Sequence, residues 1–181
     1  DTAVNAVVAT VALQSPANSV VIAPDGSRAY AGSIDGSVPI IDTATNVTVG
    51  SVAAGLPAYE PLPFLAITPD GRQVYASAGY KVVAIDTATN QFAGISTTLW
   101  AYGLAITPNG KSLYITNSKN EVWVVDTTTN QPQPNTIRVG NGAAFPAITP
   151  DSAFVYVPNQ GDGYVFVIAT AGNQLVAKIP V

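Results

Sequence analysis

The sequence of 181 residues contains no histidine, no cysteine and no methionine, and only 10% of its residues are charged. Without these residue types the chain cannot form a Ser-His-Asp or Cys-His catalytic group, an imidazole or thiolate metal site, a haem ligated by histidine or methionine, or a disulfide. Any catalysis would have to use carboxylates, lysine, tyrosine or hydroxyl groups. We therefore expect neither a metal ion nor a cofactor.

Positive charge is also scarce, because seven Lys and Arg stand against eleven Asp and Glu and the net charge is −4. Nucleic-acid binding depends on clustered basic side chains, which the sequence lacks, so we expect no nucleic-acid partner. No apolar run approaches the roughly 18 residues that a membrane-spanning helix needs, so we expect no membrane span. The abundance of Thr, Asn, Ala, Val and Gly favours an extracellular or cell-surface protein. A chain that begins at Asp1 is expected to be a processed protein or a piece of a longer one.

Two short motifs recur in the same order, about 42 residues apart. The first is a Pro-Asp-Gly turn, with copies at Pro24-Asp25-Gly26, Pro69-Asp70-Gly71, Pro108-Asn109-Gly110 and Pro150-Asp151-Ser152. The second is Asp-Thr-x-Thr-Asn, with copies at 42–46, 86–90 and 126–130, a decayed copy at 169–173 and a related copy at 1–5. Proline presets φ for a type I turn, and Asp and Thr oxygens accept backbone N–H bonds in tight turns. We interpret both motifs as hairpin turns.

Each repeat contains short β-rich segments between these turns, such as 112–116 and 122–125 in the third copy. The segments are apolar almost throughout rather than strictly alternating, which is typical of a sheet covered on both faces. Four such strands in about 42 residues are the size of one propeller blade. The sequence therefore predicts an all-β propeller built of four-stranded antiparallel blades.

The segments Tyr114-Ile115-Thr116-Asn117 and Tyr156-Val157-Pro158-Asn159 each follow a Pro-Asp-Gly-type turn and precede the second motif or its decayed copy. In this arrangement the chain resembles the YVTN-repeat β-propeller family, and the resemblance covers essentially the whole sequence. It implies a surface-layer, surface-antigen or secreted protein of bacteria or archaea, often with seven blades. Related propellers include lactonase-like enzymes and copper or quinone oxidoreductases, but the absence of histidine argues against copper or haem here.

The repeats predict a single propeller or partial propeller with four blades and one extra outer strand. The predicted bounds are 19–53, 62–96, 102–139 and 143–180 for the blades and 1–13 for the extra segment, with its strand at about Ala6 to Leu13. Four blades and a surplus strand leave three alternatives. The chain is part of a larger propeller, the strand is donated to another subunit and makes a homo-oligomer, or a four-bladed ring closes with an overlap.

Loops that differ between repeats are the expected place for a binding site, because the recurring turns are explained by the fold. In an antiparallel blade the hairpins between the second and third strands and the connections between blades lie at the same end. The candidate residues in these loops are Asp35, Tyr59, Glu60, Trp100, Tyr102, Phe145, Glu121 and Asp162. Aromatic groups with a few carboxylates suit a protein or glycan partner. The alternative is that the aromatic side chains cover hydrophobic seams between blades.

Two functions follow from this inventory. The first, which we favour, is a non-enzymatic structural or interaction module that assembles itself through the surplus strand. The second is a lactonase-like or other hydrolytic enzyme, which would need two carboxyl groups facing each other at the channel mouth. Seven of the eleven acidic residues lie in the two turn motifs. Only Asp35, Glu60, Glu121 and Asp162 remain for such a pair, and we assign no catalytic residue.

Overall fold

The computed structural model describes residues 3, 5–56, 64–96 and 100–181. The described residues form four antiparallel sheets, which we call blades 1 to 4 in chain order. Blade 1 contains β1 (Ala17–Ile22), β2 (Arg28–Ser33), β3 (Val38–Asp42) and β4 (Val47–Val52). Blade 2 contains β5 (Phe64–Ile67), β6 (Gln73–Ala78), β7 (Lys81–Asp86) and β8 (Phe92–Ser96).

Blade 3 differs from the others at its outer edge. It contains β9 (Ala101–Ile106), β10 (Ser112–Asn117) and β11 (Glu121–Asp126), followed by β12 (Gln131–Pro132) and β13 (Ile137–Arg138). The short strands β12 and β13 both pair with β11, so they share the place of one outer strand. Blade 4 contains β14 (Ala147–Ile148), β15 (Phe154–Asn159), β16 (Tyr164–Ala169) and β17 (Gln174–Pro180). The all-β architecture of four-stranded antiparallel units is therefore confirmed.

Both repeated motifs form the hairpin turns that the sequence predicts. The Asp86 carboxylate accepts hydrogen bonds from the Thr89 backbone N–H and hydroxyl, at 2.8 Å each. The final asparagine adopts a left-handed backbone in every described copy, with φ between 49° and 57° at Asn5, Asn46, Asn90, Asn130 and Asn173. Asparagine tolerates this conformation better than most residues. The glycines of the first motif also have positive φ, and Ser152 adopts the same conformation in the fourth copy.

The core lies between the blades rather than within any one of them. One buried cluster joins blades 1 and 2 and includes Tyr30, Val38 and Ile85. A second cluster joins blades 2 and 3, and a third joins blades 3 and 4. Each sheet thus covers its neighbour, which explains the continuously apolar strands. Among the described residues no buried cluster joins blade 4 to blade 1.

In two of the three contacts between successive blades, a tyrosine on the second strand of one blade hydrogen-bonds to the following blade. The Tyr75 hydroxyl donates to Oδ1 of Asn130 at 2.5 Å, and the Tyr114 hydroxyl donates to Oδ1 of Asn173 at 2.5 Å. Both rings are completely buried. Burial raises the pKa of Tyr114 to about 12, because the neutral phenol is favoured over the charged phenolate. The tyrosine and the turn asparagine therefore link successive blades.

The N-terminal segment differs from the prediction, because residues 6–13 form no strand. Leu13 lies beside the outer strands of blade 1, where it lines a cavity together with Pro39 and Val49. Val7 and Val8 are largely exposed. A β-strand is defined by hydrogen bonds to a neighbouring strand, and residues 6–13 pair with none of the four described sheets. The first strand of blade 1 also begins at Ala17, two residues before the predicted bound.

Replacing Ile85, which is fully buried between blades 1 and 2, tests the contribution of this contact to stability. Ile85→Ala should lower the free energy of unfolding by about 2–5 kcal/mol, because it removes buried apolar atoms and leaves a cavity. The matched control Val47→Ala, at an exposed position of β4, should change it by less than about 0.5 kcal/mol. Urea denaturation measures both values, and equal effects would contradict burial between the blades.

The turn aspartates predict a loss of stability in acid. Hydrogen bonds from the backbone N–H and then the hydroxyl of Thr89 lower the pKa of Asp86, because they favour the carboxylate. The Asp86 carboxyl has a lower pKa in the folded state than its unfolded value of about 3.9, so its hydrogen bonds stabilise the fold at pH values above 3.9. This stabilisation is lost as the pH falls through the folded-state pKa. The free energy of unfolding should therefore decrease as the pH falls below about 4.

Asp86→Asn isolates one contribution to this decrease, because the amide keeps an acceptor oxygen and does not titrate. Urea denaturation at a series of pH values should show a shallower loss of stability for Asp86→Asn than for the unchanged chain. Identical pH dependence in the two proteins would contradict a role for the Asp86 carboxylate.

Candidate functional site

The blades have two different rims. The turn rim carries the two recurring motifs, and the connection rim carries the β2–β3, β6–β7, β10–β11 and β15–β16 hairpins together with the connections between blades. Backbone hydrogen bonds tie these hairpins to the connections, for example from the Ala101 N–H to the Gly79 carbonyl and from the Ser118 N–H to the Trp100 carbonyl. The Gly161 N–H bonds the Asn141 carbonyl in the same way. The loops that vary between repeats therefore meet at one rim, as the sequence predicts.

Two aromatic pairs lie on the connection rim. The rings of Tyr80 and Trp100 meet edge to face with centroids 5.3 Å apart, and those of Phe64 and Phe145 meet in the same way at 4.8 Å. The first pair joins the β6–β7 hairpin to the connection before blade 3. The second joins the first strand of blade 2 to the segment before blade 4. Such edge-to-face pairs add roughly 0.5–1.5 kcal/mol to the burial of apolar area.

These aromatic residues combine the two roles that the sequence leaves open. Trp100 and Tyr102 are half-buried, and Trp100 packs on Tyr80 of the β6–β7 hairpin, so it partly covers the contact between blades 2 and 3. The side chain of Phe145 is 55% exposed and Tyr80 is similarly exposed, although each touches a second ring. In each pair, a half-buried ring (Trp100 or Phe64) holds an exposed ring (Tyr80 or Phe145) in place. An exposed ring that is held in this way is suited to binding.

A glycine on the first strand of blade 3 allows the second aromatic pair to form. A Cβ at Gly103 would lie 2.8 Å from Cδ of Pro146 and 2.9 Å from Cα of Phe145. These distances are shorter than ordinary van der Waals contact, so any larger residue would displace the backbone that carries Phe145. Glycine is therefore required at position 103 for its small size and not for its backbone conformation, since the φ of Gly103 is not positive.

The three described candidate carboxylates each stabilise a loop. The Asp35 carboxylate accepts the Ser37 hydroxyl at 2.7 Å and the Ser37 N–H at 3.0 Å, and these hydrogen bonds lower its pKa. Asp162 accepts the Asn141 N–H at 2.7 Å, which joins the β15–β16 hairpin to the connection before blade 4. Glu121 accepts the Asn117 side-chain amide at 3.3 Å. The three groups belong to hairpins of three different blades.

Two of the candidate residues cannot be placed relative to the others. Tyr59 and Glu60 lie outside the described residues. Within the described ranges no group of three or more acidic side chains is placed to hold a metal ion. A cavity of about 530 Å³ opens on the turn rim between blades 2 and 3. Its charged members, Asp70 and Arg72, are largely exposed and lie 3.8 Å apart, so it shows no buried charge for catalysis.

Lys81 lies on the connection rim, and the sequence does not reveal its role there. Its ammonium donates to the carbonyl of Ala54 at 3.1 Å and to that of Gly55 at 2.9 Å. It thereby holds the connection that leaves blade 1 against the hairpin of blade 2. The sequence offers no motif for this contact, because the acceptors are backbone carbonyls and any residue supplies one.

Comparison with solved structures identifies the architecture. The matches include hydrazine synthase of Kuenenia stuttgartiensis, with a TM-score of 0.77 and 26% identity over 90% of this chain and 48% of that one. U3-55K matches with a TM-score of 0.76 and 18% identity, over 91% of this chain and 52% of that one. The WD40 repeats of RRP9 match with a TM-score of 0.76 and 17% identity, over 91% and 51% respectively.

The fold is propeller-like. This conclusion rests on the structural matches together with the four-stranded antiparallel sheets. The chain spans about half the length of the solved structures it matches. No family model matches it, and no curated protein sequence matches it. Within the described residues no helix is long and apolar enough to cross a membrane.

The contact at Gly103 predicts a size-dependent effect on the connection rim. Gly103→Ala should lower the free energy of unfolding by about 1–3 kcal/mol, because the new methyl group collides with Pro146 and the Phe145 backbone. Gly94→Ala, in the outer strand of blade 2, is the matched control because nothing lies within 4 Å of its Cβ position. Denaturation measures stability and near-UV circular dichroism reports the aromatic pair, and equal behaviour of the two variants would contradict the close approach.

Proposed function

We propose that this chain is a non-enzymatic propeller module that binds a protein partner through the aromatic side chains of its connection rim. The observation that carries the proposal is the exposure of Phe145 and Tyr80, each fixed by a second ring. Exposed aromatic groups held in one orientation lose little conformational freedom on binding and are enriched among the residues that dominate binding energy.

The distribution of charge supports interaction rather than hydrolysis. A hydrolytic pair of carboxyl groups must lie about 5–9.5 Å apart around the substrate. Asp35, Glu121 and Asp162 instead accept hydrogen bonds within loops of separate blades. Their carboxylates have structural partners already, so catalysis would compete with loop stability.

The proposal includes membership of the YVTN-repeat family and a location outside the cell or on its surface. Support for the family comes from the Tyr114 and Tyr156 segments and the turns that precede them. Support for the location comes from a composition with 10% charged residues. Self-assembly through the segment from Ala6 to Leu13 stays a prediction, because a strand that is donated to another subunit would also be unpaired within a single chain.

Selection from a random peptide library on the immobilised chain tests where the preferred binding surface lies. Selected peptides should bind Phe145→Ser and Tyr80→Ser at least about tenfold more weakly than the unchanged chain, because a central aromatic side chain often contributes 2 kcal/mol or more. Phe154→Ser removes an exposed aromatic side chain beside the turn that contains Pro150, on the turn rim, and is the matched control. Its affinity for the peptides should stay unchanged.

Peptides that bind all three variants equally would place the preferred surface elsewhere and contradict the proposal. A parallel screen of immobilised glycans distinguishes the second ligand class. Glycan binding that disappears in Phe145→Ser, without any peptide binding at the rim, would replace the protein partner by a carbohydrate.

A further inference from the structure

The turn rim carries the same cleft at two successive contacts between blades. Between blades 2 and 3 the cleft has a volume of about 530 Å³ and is lined by the first-motif turn of blade 2 and by both turns of blade 3. Between blades 1 and 2 it has a volume of about 320 Å³ and is lined by the corresponding turns. Both volumes lie within the roughly 300–1,000 Å³ that is typical of small-molecule sites.

The two clefts are built from equivalent residues. The matching residues, given first for the cleft between blades 1 and 2 and then for the cleft between blades 2 and 3, are Asp25 and Asp70, Gly71 and Gly110, and Thr87 and Thr127. In each cleft the threonine hydroxyl donates to the carbonyl of the glycine, at 2.7 Å for Thr87. The cleft therefore follows from the way in which successive blades pack and not from one exceptional loop.

The contact between blades 3 and 4 places a hydroxyl group at the equivalent point. Ser152 stands where the other two turns have glycine, and the Thr170 hydroxyl donates to its carbonyl at 2.6 Å in the same manner. The Ser152 hydroxyl accepts a hydrogen bond from the backbone N–H of Asn109 at 3.0 Å. Ser152 is only 6% exposed. A hydroxyl oxygen of the chain itself is therefore bound at this third contact.

Gly71 and Gly110 have no hydroxyl group to offer at the other two contacts. Within the described ranges, the equivalent N–H groups of Asp25 and Asp70 donate to no other residue. All four first-motif turns share one conformation, because the third residue of each has φ between 62° and 73° and its N–H bonds the carbonyl three residues earlier. The N–H groups of Asp25 and Asp70 therefore point to the place that corresponds to the Ser152 hydroxyl.

Each cleft also contains one carboxylate and one guanidinium group. Oδ1 of Asp70 accepts the Thr68 hydroxyl and the Arg72 N–H, while Oδ2 lies 3.8 Å from Nε of Arg72. Asp25 and Arg28 line the cleft between blades 1 and 2. The opposite charges offset each other, so the clefts favour neither a simple anion nor a simple cation. They offer donors and acceptors together, which suits a ligand with hydroxyl groups, since a hydroxyl both donates and accepts.

We propose that the two clefts are binding sites for a neutral carbohydrate, with one sugar hydroxyl at the place that corresponds to the Ser152 hydroxyl. The sugar oxygen accepts the N–H of Asp25 or Asp70, and a hydroxyl proton of the sugar is donated to the carboxylate of the same residue. Because the cleft recurs from blade to blade, one chain binds two sugars in the same way. The inference goes beyond the proposed protein partner, since these clefts lie on the turn rim and the aromatic pairs lie on the connection rim.

Nuclear magnetic resonance of the isotope-labelled chain locates the binding. The probes are neutral oligomers of glucose, mannose, galactose and N-acetylglucosamine, each added to about 10 mM because single sugar sites bind weakly. At least one oligomer should shift the amide signals of Asp25 and Asp70. The amide signal of Asn109 should stay in place, because Ser152 already accepts its hydrogen bond. Inorganic phosphate and calcium ions, as charged probes, should shift none of these signals.

Serine substitutions test whether the glycines keep the clefts open. Gly71→Ser should weaken the response at Asp25 at least about tenfold, and Gly110→Ser should do the same at Asp70, because each adds the hydroxyl that Ser152 supplies at the third contact. Gly26→Ser is the matched control, since Gly26 has the same φ of 72° as Gly71 and nothing within 4 Å of its Cβ position. It should leave both responses unchanged, and circular dichroism checks that all three variants fold.

The reverse substitution should create a site. Ser152→Gly removes the hydroxyl that the Asn109 N–H now bonds, so the Asn109 amide should respond to the same oligomer. Isothermal titration calorimetry should then count three sugars per chain in place of two. A gain of binding of this kind does not arise from a general loss of stability.

The proposal is overturned if no oligomer shifts the Asp25 and Asp70 signals, or if the shifts persist in Gly71→Ser and Gly110→Ser. A response to phosphate or calcium and to none of the oligomers would overturn it as well, because the clefts would then select a charged ligand. Oligomers that shift only the amides of Tyr80 and Phe145 would place carbohydrate on the connection rim and would also overturn it. Peptide binding at that rim is measured separately with Phe145→Ser and Tyr80→Ser, so the two proposals fail independently.

Discussion

The packing of one blade against the next is the interaction on which the rest of the structure depends. Among the described residues no buried cluster belongs to a single sheet, and the large buried side chains, such as Tyr30, Tyr75 and Tyr114, lie between sheets. Burial of a large apolar side chain stabilises the fold by roughly 1.5–3 kcal/mol, so the contacts between blades supply most of the stability. The turns set the spacing of the strands, and the contacts between blades set the order of the sheets. The connection rim is a consequence, because it consists of the loops that this packing brings together.

The sequence predicts the parts of the fold that depend on local chemistry. Asp86 and Thr89 form the expected turn because their hydrogen bonds involve residues three positions apart. The four blades follow from the recurrence of such turns. The N-terminal strand was wrong because strand formation depends on a free partner edge, which a local pattern does not contain. The division of the last strand of blade 3 into β12 and β13 also escaped the prediction, although its segment contains Pro132 and Pro134, which cannot donate backbone hydrogen bonds.

The rim that carries the candidate residues was predictable from the sequence, whereas the contacts between these residues were much less so. Blade topology alone indicated which loops share a rim, and the hydrogen bonds between hairpins and connections confirm it. The pairing of Phe64 with Phe145 joins residues 81 positions apart and depends on the close approach at Gly103. A single glycine in a strand has many explanations, so its neighbour cannot be inferred from sequence. The same holds for Lys81, whose acceptors are backbone carbonyls.

The order of the buried clusters along the chain has a consequence for the local opening of the four blades. In the part of the chain that the structure describes, each buried cluster joins two blades that are neighbours in the chain, so the stability of a blade depends mainly on its own folding and on its contacts with those neighbours. Blades 2 and 3 are covered on both faces, whereas blades 1 and 4 are each covered on one. Among the described residues, local opening should therefore be easier in blades 1 and 4 than in blades 2 and 3. Amide hydrogens in β6 and β10 would then exchange with solvent more slowly than those in β1 or β17.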